Sequence, residues 1–259
     1  MSSDLFSVEG KTVVVTGGTR GIGYMIAEGL LDAGAKVFIT SRKAAACAEA
    51  QQSLASHGEV TAIPADVSDP EQSQDLVNAI AERTSQVHVL VNNAGATWGA
   101  AFDEFPPAAW DKVLQLNVRA PFVLTQQLRP LLAKASTAED PARVINIGSI
   151  DGIAVPDFGN FSYGASKAAL HHLTRHMAAE LAPEILVNAI APGPFPTKMM
   201  AGVLAERGDE ITGRNPLGRI GEPDDAAALA IFLSARASRF ITGAVIPLDG
   251  GMSTTMKAG

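Results

Sequence analysis

Short runs of β-branched residues alternate with longer stretches of helical apolar spacing along almost the whole chain. Seven runs predict buried strands because they are brief, apolar and bounded by Gly, Pro or charged residues. These runs are 12–16, 36–40, 60–63, 87–91, 143–148, 186–190 and 244–248. Apolar spacing of three to four residues predicts helices over 21–33, 44–57, 70–84, 109–133, 163–181 and 222–235. Repeated strand–helix units require right-handed crossovers, so we predict a doubly wound α/β fold with seven parallel strands and helices on both faces.

Composition limits the classes of partner. The chain of 259 residues is 47% hydrophobic and 18% charged, so it can bury one large core. Its formal charge of −7, without a long Lys/Arg run, argues against nucleic acid as a partner. We find no signal-peptide pattern and no apolar run long enough to cross a membrane, and we expect a cytoplasmic protein without a membrane partner. The single Cys47 excludes a disulfide framework, and no grouping of residues predicts a metal site.

A glycine-rich turn, TGGTRGIG at 16–23, joins the first predicted strand to the first predicted helix. Glycine permits positive φ and a close approach of the backbone to a phosphate, and the helix N-terminus offers free N–H groups. Three glycines alone could equally serve only to tighten the junction, but their position after the first strand favours a dinucleotide site. We therefore predict one Rossmann-type domain over 1–259, with a dinucleotide-binding half at about 10–150 and a catalytic and substrate half at about 143–251.

The second predicted strand ends in TSRK, residues 40–43, without the acid that would hold the ribose hydroxyls of NAD. Arg42, together with Arg20 from the glycine-rich turn, can pair with a 2′-phosphate through charge-assisted hydrogen bonds. This predicts NADP(H) as the cofactor. The alternative is that Arg42 and Lys43 are solvated residues at the start of a helix.

Tyr163 and Lys167 are four residues apart at the start of a predicted helix, so their side chains share one face. An ammonium beside a phenol favours the phenolate, and we expect Lys167 to lower the pKa of Tyr163 towards the working pH. Alone, such a pair is most simply a packing contact. Its convergence with Ser149 and the glycine-rich turn at the carboxyl ends of strands predicts carbonyl reduction with Tyr163 as the proton donor.

Taken together, these motifs resemble the short-chain dehydrogenase/reductase family from Gly10 to Gly251. The resemblance implies a catalytic tetrad of Asn117, Ser149, Tyr163 and Lys167, in which Asn117 holds a water that links Lys167 to solvent. It implies cofactor binding by Gly17, Thr19, Arg20, Gly21, Ile22, Gly23, Ser41, Arg42, Asp66, Val67, Asn93, Ala94, Gly95, Tyr163, Lys167, Pro192, Gly193 and Thr197. Phe195 stands where the family usually has Val or Ile, which puts the local packing in question.

Residues 92–99, 142–149 and 245–251 are similar to bacterial 3-oxoacyl thioester (3-oxoacyl-acyl-carrier-protein) reductases, particularly the rhamnolipid-associated branch. This implies NADPH-dependent reduction of a 3-oxoacyl thioester in fatty acid metabolism, with acyl carrier protein as a candidate partner. One scaffold hosts many substrates, so a cyclic ketone, a sugar or a steroid stays an alternative. The candidate substrate residues are Trp98, Ser149, Phe158 and Met199, and core packing is an equal alternative for the three apolar ones.

Two other classes of function fit less well. A serine hydrolase with Ser149 as nucleophile lacks both the G-x-S-x-G elbow and a histidine after a later strand. A methyltransferase or a non-catalytic NADP(H)-binding sensor would leave the Ser149, Tyr163 and Lys167 combination without a role.

The remaining expectations concern surfaces. The predicted helices 109–133 and 163–181 carry more apolar residues than one buried stripe needs, so we expect a homotetramer, with a dimer second. The Gly/Pro-rich stretch 192–216 predicts an irregular lid over the site. We expect His171 and His172 at the surface or at an interface, and we expect Arg119, Arg143 and Arg219 on solvated faces.

Overall fold

The computed structural model describes residues 2–255. Its strands are β1 Thr12–Thr16, β2 Lys36–Ser41, β3 Val60–Pro64, β4 Val89–Asn92, β5 Ala142–Ile147, β6 Ile185–Pro192 and β7 Val245–Leu248. Its helices are α1 Ser2–Leu5, α2 Gly21–Asp32, α3 Ala44–Leu54, α4 Pro70–Ala81, α5 Pro107–Leu114, α6 Ala120–Ala135, α7 Phe161–Leu181, α8 Ala201–Arg214 and α9 Pro223–Ser234. The seven predicted strands and six predicted helical stretches are therefore all present.

The strands form one sheet in the order β3-β2-β1-β4-β5-β6-β7, and every pairing is parallel. The chain builds outward from β1 in one direction and then returns to build outward in the other, so the order reverses between β1 and β4. In such sheets the loops after the two central strands diverge and leave a crevice at their carboxyl ends. The predicted doubly wound fold is confirmed, and the crevice is where the candidate residues gather.

Both faces of the sheet are buried, as the continuous apolar strands predict. Val13 and Val15 pack on the side covered by α2, α3 and α9. Val14, between them, packs on the opposite side against α4, α6 and α7. Within residues 2–255, no helix is both long enough and apolar enough to cross a membrane.

Local sequence signals set some helix ends. Asp69 caps α4, because its carboxylate accepts a hydrogen bond from the backbone N–H of Glu71 at 2.9 Å. Pro70 occupies the first helical position, where its missing N–H costs nothing. Both features agree with the predicted start of this helix at residue 70.

Two elements differ from the prediction. The stretch 192–216, expected to be irregular, contains α8, which kinks at Arg207 (φ −132°, ψ 19°). The predicted continuous helix 109–133 is divided by a π-helical turn, Gln115–Arg119, between α5 and α6. Such turns are rare in proteins overall, but where they occur they are often at functional sites. This one carries Asn117.

Arg143 is not on a solvated face, so that expectation is wrong. Its side chain is 1% exposed, because the start of β5 lies under the end of α9. The guanidinium donates to the Asp140 carboxylate at 3.1 Å and to the Ala235 carbonyl oxygen at 3.2 Å. A buried cation is retained only where such acceptors replace water.

Candidate active site

The glycine-rich turn follows β1 and has the backbone shape that a phosphate cradle needs. Gly17 and Gly21 have φ of 65° and 59°, a region that side chains disfavour. A Cβ on Gly23 would overlap the Asn93 side chain, whose Nδ2 donates to the Thr16 carbonyl oxygen at 2.8 Å. Gly17 and Gly23 therefore have no room for side chains, and the turn leaves the first N–H groups of α2 open to an anion. Thr19, Arg20 and Ile22 complete it, with Arg20 exposed.

The end of β2 carries cations and no acid. Arg42 is 65% exposed, and its guanidinium lies 3.9 Å from the Asp66 carboxylate at the end of β3. Asp66 also accepts a hydrogen bond from the Ser68 hydroxyl at 2.6 Å. Ser41 is partly buried, and Val67 is buried in the core. The end of β2 therefore fits the 2′-phosphate of a dinucleotide, because it has cations that can pair with the phosphate and lacks an acid that would repel it.

Ser149 and Tyr163 are brought together from different elements. Ser149 is separated from the end of β5 by one glycine, and it is 8% exposed. Its hydroxyl accepts a hydrogen bond from the Asp151 backbone N–H at 3.1 Å and lies near the phenol of Tyr163, in the first turn of α7. Two hydroxyls are thus held side by side beyond the carboxyl end of the sheet.

Lys167 lies one turn further along α7, as the spacing predicts. Its ammonium is 5.5 Å from the centroid of the Tyr163 ring and donates to the Ile147 carbonyl oxygen at 2.7 Å. Burial lowers the pKa of Lys167 to about 8. Burial also raises the pKa of Tyr163 to about 12, against the opposite effect of the nearby Ser149 hydroxyl. The expectation that Lys167 lowers the Tyr163 pKa is therefore wrong, because loss of solvent around the phenol outweighs it.

Asn117 lies on the π-helical turn, beside the loop after β4. Its Oδ1 accepts from the Ala96 N–H at 2.8 Å, and its Nδ2 donates to the Ala96 carbonyl oxygen and to the Ser166 hydroxyl, each at 2.9 Å. Built on Gly95, a Cβ would lie 3.4 Å from Asn117 Oδ1 and 3.8 Å from Lys167 Nζ. The four residues of the implied tetrad therefore converge, while the Asn117 side chain is occupied by protein partners.

The segment after β6 reaches back to the glycine-rich turn. A Cβ on Gly21 would lie 3.4 Å from Thr197 Cγ2, and the Gly193 N–H donates to the Leu248 carbonyl oxygen at 2.9 Å. Phe195 is 1% exposed, and its ring packs where a side chain at Gly221 would otherwise sit. The glycine makes room for the larger ring, which explains how the chain tolerates Phe at this position.

The apolar candidates for the substrate stand exposed on three different loops. Trp98, Phe158 and Met199 follow β4, β5 and β6, and they are 42%, 46% and 50% exposed. The first two loops are joined where the Ala100 N–H donates to the Gly159 carbonyl oxygen at 3.0 Å. All three follow strand ends on the crevice side of the sheet and give its mouth an apolar character.

Sequence reasoning missed two residues near Ser149. Asp151 accepts a hydrogen bond from Asn160 Nδ2 at 2.7 Å, and burial raises the pKa of its carboxyl. His171 was expected at the surface, but it is 4% exposed and lies against Gly148 and Gly152 on either side of Ser149. Burial lowers the pKa of His171 to about 4. An acid two residues after Ser149 is the available signal for the first, whereas no local pattern marks the second.

The comparisons with known proteins agree with this geometry. A family model described as enoyl-(acyl carrier protein) reductase matches residues 17–253. The chain belongs to the short-chain dehydrogenase/reductase family.

Relatives of this short-chain dehydrogenase/reductase act on several substrates. This chain is 49% identical to the rhamnolipids biosynthesis 3-oxoacyl-(acyl-carrier-protein) reductase of Pseudomonas aeruginosa, over 95% of this chain and 97% of that protein. It is 37% identical to the 2-dehydro-3-deoxy-D-gluconate 5-dehydrogenase of Bacillus subtilis, over 96% of each. The structure of the Pseudomonas aeruginosa RhlG/NADP active-site complex superposes with a TM-score of 0.94 at 47% identity, over 96% of this chain and 99% of that one.

Proposed function

We propose that this protein is an NADPH-dependent reductase that converts 3-oxoacyl thioesters to 3-hydroxyacyl thioesters. The observation that carries the proposal is the Tyr163 phenol, which lies beside the Ser149 hydroxyl and one helical turn from Lys167 at the carboxyl ends of the strands. The 49% identity to a 3-oxoacyl-(acyl-carrier-protein) reductase supports this substrate class.

Residues at the crevice would hold NADP(H) in two places. The glycine-rich turn and the N-terminus of α2 would take the pyrophosphate, and Arg20 with Arg42 would take the 2′-phosphate. Asp66 and Val67 would lie at the adenine, residues 93–95 at its ribose, and Pro192, Gly193 and Thr197 at the carboxamide. The relative whose structure is an NADP complex supports this choice.

The proposed chemistry uses groups that the fold already places. Bound NADPH would supply the hydride to the carbonyl carbon. Tyr163, kept protonated by burial, donates its phenolic proton to the carbonyl oxygen, and Ser149 donates a hydrogen bond to the same atom. Lys167, with a pKa of about 8, carries its positive charge at neutral pH and restores the proton to Tyr163, with Asn117 on the path to solvent.

Two alternatives stay open. The gluconate-type relative supports a polyhydroxy ketone as substrate, whereas the apolar side chains of Trp98, Phe158 and Met199 support an acyl chain. Cyclic ketones and steroids would also fit an apolar mouth. A non-catalytic NADP(H) sensor would need none of the hydroxyl pairing at Ser149 and Tyr163.

The proposal extends to the setting of the reaction. We expect a cytoplasmic homotetramer in fatty acid metabolism, with a dimer as the second choice and acyl carrier protein as the partner that presents the substrate. Residues at about 10–150 would bind the dinucleotide, and those at about 143–251 would hold the substrate.

The test is Tyr163→Phe, which removes the proton donor and keeps the ring. We expect turnover to fall by at least about a hundredfold while NADPH binding stays intact. NADPH consumption is followed with 3-oxoacyl thioesters, cyclic ketones, sugars and steroids in parallel.

Tyr24→Phe is the matched control for this test, because the Tyr24 hydroxyl pairs with Ser53 on the outer helices at 2.8 Å. A wild-type rate in the Tyr163 variant would refute the role of Tyr163. Binding of NADPH without reduction of any substrate by the wild type would favour the sensor.

A further inference from the structure

Asp151 links the Ser149 turn to the catalytic helix. Its backbone N–H donates to the Ser149 hydroxyl at 3.1 Å. Its carbonyl oxygen lies against the first turn of α7, where a Cβ on Gly164 would be 3.2 Å from it. The main chain at Asp151 therefore contacts both sides of the pair formed by Ser149 and Tyr163.

The carboxylate of Asp151 is fixed in place. Asn160, which is 4% exposed and directly precedes α7, donates to Asp151 Oδ2 at 2.7 Å. A negative charge beside a helix N-terminus is favoured by the helix dipole. The acid therefore holds a defined position near the start of α7, two residues from Ser149, and the chemistry proposed above does not use it.

We propose that Asp151 is a positioning residue whose fixed negative charge keeps the Tyr163–Lys167 pair protonated under alkaline conditions. The role rests on the proposed function, because it concerns the proton that the reduction consumes. The main-chain contacts of Asp151 set the position of Ser149, and the carboxylate sets the proton affinity of the pair.

A fixed anion favours the protonated form of every titratable group near it. Asp151 raises the pKa of Tyr163 and also that of Lys167, where it opposes the larger effect of burial. Both effects have the same sign, so the first ionisation of the coupled pair moves to higher pH whichever group loses its proton first. Reduction needs the phenol protonated, so the acid extends activity to higher pH.

The other groups that face this cluster do not replace Asp151. His171 lies against Gly152, and with a pKa of about 4 it is neutral in the working range. The positive charge of Arg175, one turn further along α7, lowers the pKa of His171. Among the described residues, Asp151 is the charged group that acts on both Tyr163 and Lys167.

Asp151→Asn tests the role, because the amide can still accept the Asn160 hydrogen bond but carries no charge. We measure kcat/KM for reduction from about pH 6 to about pH 10 with saturating NADPH. The alkaline limb of the profile should move to lower pH by about half a unit or more, with NADPH affinity unchanged. Asp151→Glu should retain the wild-type limb, since it restores the charge.

Two further variants keep the result decisive. Asp151→Ser removes the charge with a smaller side chain, in case the amide variant does not fold. Asp75→Asn removes a charge from the exposed side of α4 and should leave the profile unchanged.

An unchanged alkaline limb in a folded, NADPH-binding neutral variant would overturn the role of Asp151, and so would an equal shift in Asp75→Asn. A wild-type protein that binds NADPH and reduces none of the substrates would instead overturn the proposed function, and this role with it.

Discussion

Arg42 at the end of β2 is the residue on which the proposed cofactor choice depends. Arg42→Asp replaces the cation with an acid that repels a 2′-phosphate and can hold ribose hydroxyls. We expect the ratio of kcat/KM for NADPH to that for NADH to fall by about 10- to 100-fold, the scale of a hydrogen bond to a charged group. Lys36→Asp, a matched change at the other end of the same strand, is the control. An unchanged ratio in Arg42→Asp would refute the phosphate-binding role.

His171 makes stability depend on pH. Its pKa of about 4 lies below the ordinary value of 6.5, because burial disfavours the charged imidazole. The unfolded chain therefore binds a proton that the folded chain does not, and stability is lost as pH falls from about 6.5 to about 4. The loss from this residue should be on the order of 2–3 kcal/mol.

Urea unfolding at pH 7 and at pH 4.5 measures this loss. His171→Gln should weaken the pH dependence of the unfolding free energy, whereas His172→Gln, at the exposed neighbouring position, should leave it as in the wild type. Equal slopes in the wild type and His171→Gln would contradict the assignment.

Residues near the crevice differ in how far the sequence predicts them. Tyr163 and Lys167 follow from helical spacing, and Ser149 follows from its place at a strand end, because both rules are local. The direction of the Tyr163 pKa shift does not, since it depends on how much water the folded chain excludes. His171 reaches Gly148 and Gly152 only through tertiary packing, so no pattern in the sequence reveals it.

At the scale of elements, the strands are predicted to within two residues of their observed ends, because buried parallel strands are continuous β-branched runs. Helix α8 is missed, since its three glycines and the prolines around it are typical of a loop. The π-helical turn at Asn117 is missed because one extra residue in a turn leaves apolar spacing almost unchanged.

A close contact between α2 and α9 predicts a large effect for a small change. A Cβ on Gly29 of α2 would overlap the Ala227 side chain of α9. Gly29→Ala should therefore destabilise the fold by about 1–3 kcal/mol, even though alanine favours a helix more than glycine does. Thermal unfolding of the variant should show a lower Tm.

Gly202→Ala in α8 is the matched control for this change, because nothing lies within 4 Å of the added Cβ. It should be neutral or stabilising by up to about 1 kcal/mol. The double variant Gly29→Ala/Ala227→Gly should recover most of the loss by restoring space. A Gly29→Ala protein as stable as the wild type would show that the two helices can move apart at little cost.

At the scale of the whole molecule, apolar side chains lie exposed on the helices that we expect to join subunits. Trp110, Leu114 and Phe122 stand at spacings of four and eight residues along α5 and α6, and Phe161 begins α7. Exposed apolar side chains grouped on one surface are typical of a contact between proteins, and burial between copies of this chain, whose net charge is −7, would remove them from water. This supports the proposed homotetramer.

Phe122→Arg tests that assembly. Light scattering should give the wild type a mass four times that of the 26.9 kDa chain. Phe122 is 46% exposed on α6, so a cation there should leave the fold intact but place an unpaired charge in the contact between subunits. The variant should therefore dissociate to dimers or monomers at micromolar concentration.

Gln52→Arg adds the same charge to the exposed side of α3 and should stay tetrameric. A Phe122→Arg protein with the wild-type mass would mean that α6 does not join subunits, and a monomeric wild type would refute the tetramer itself.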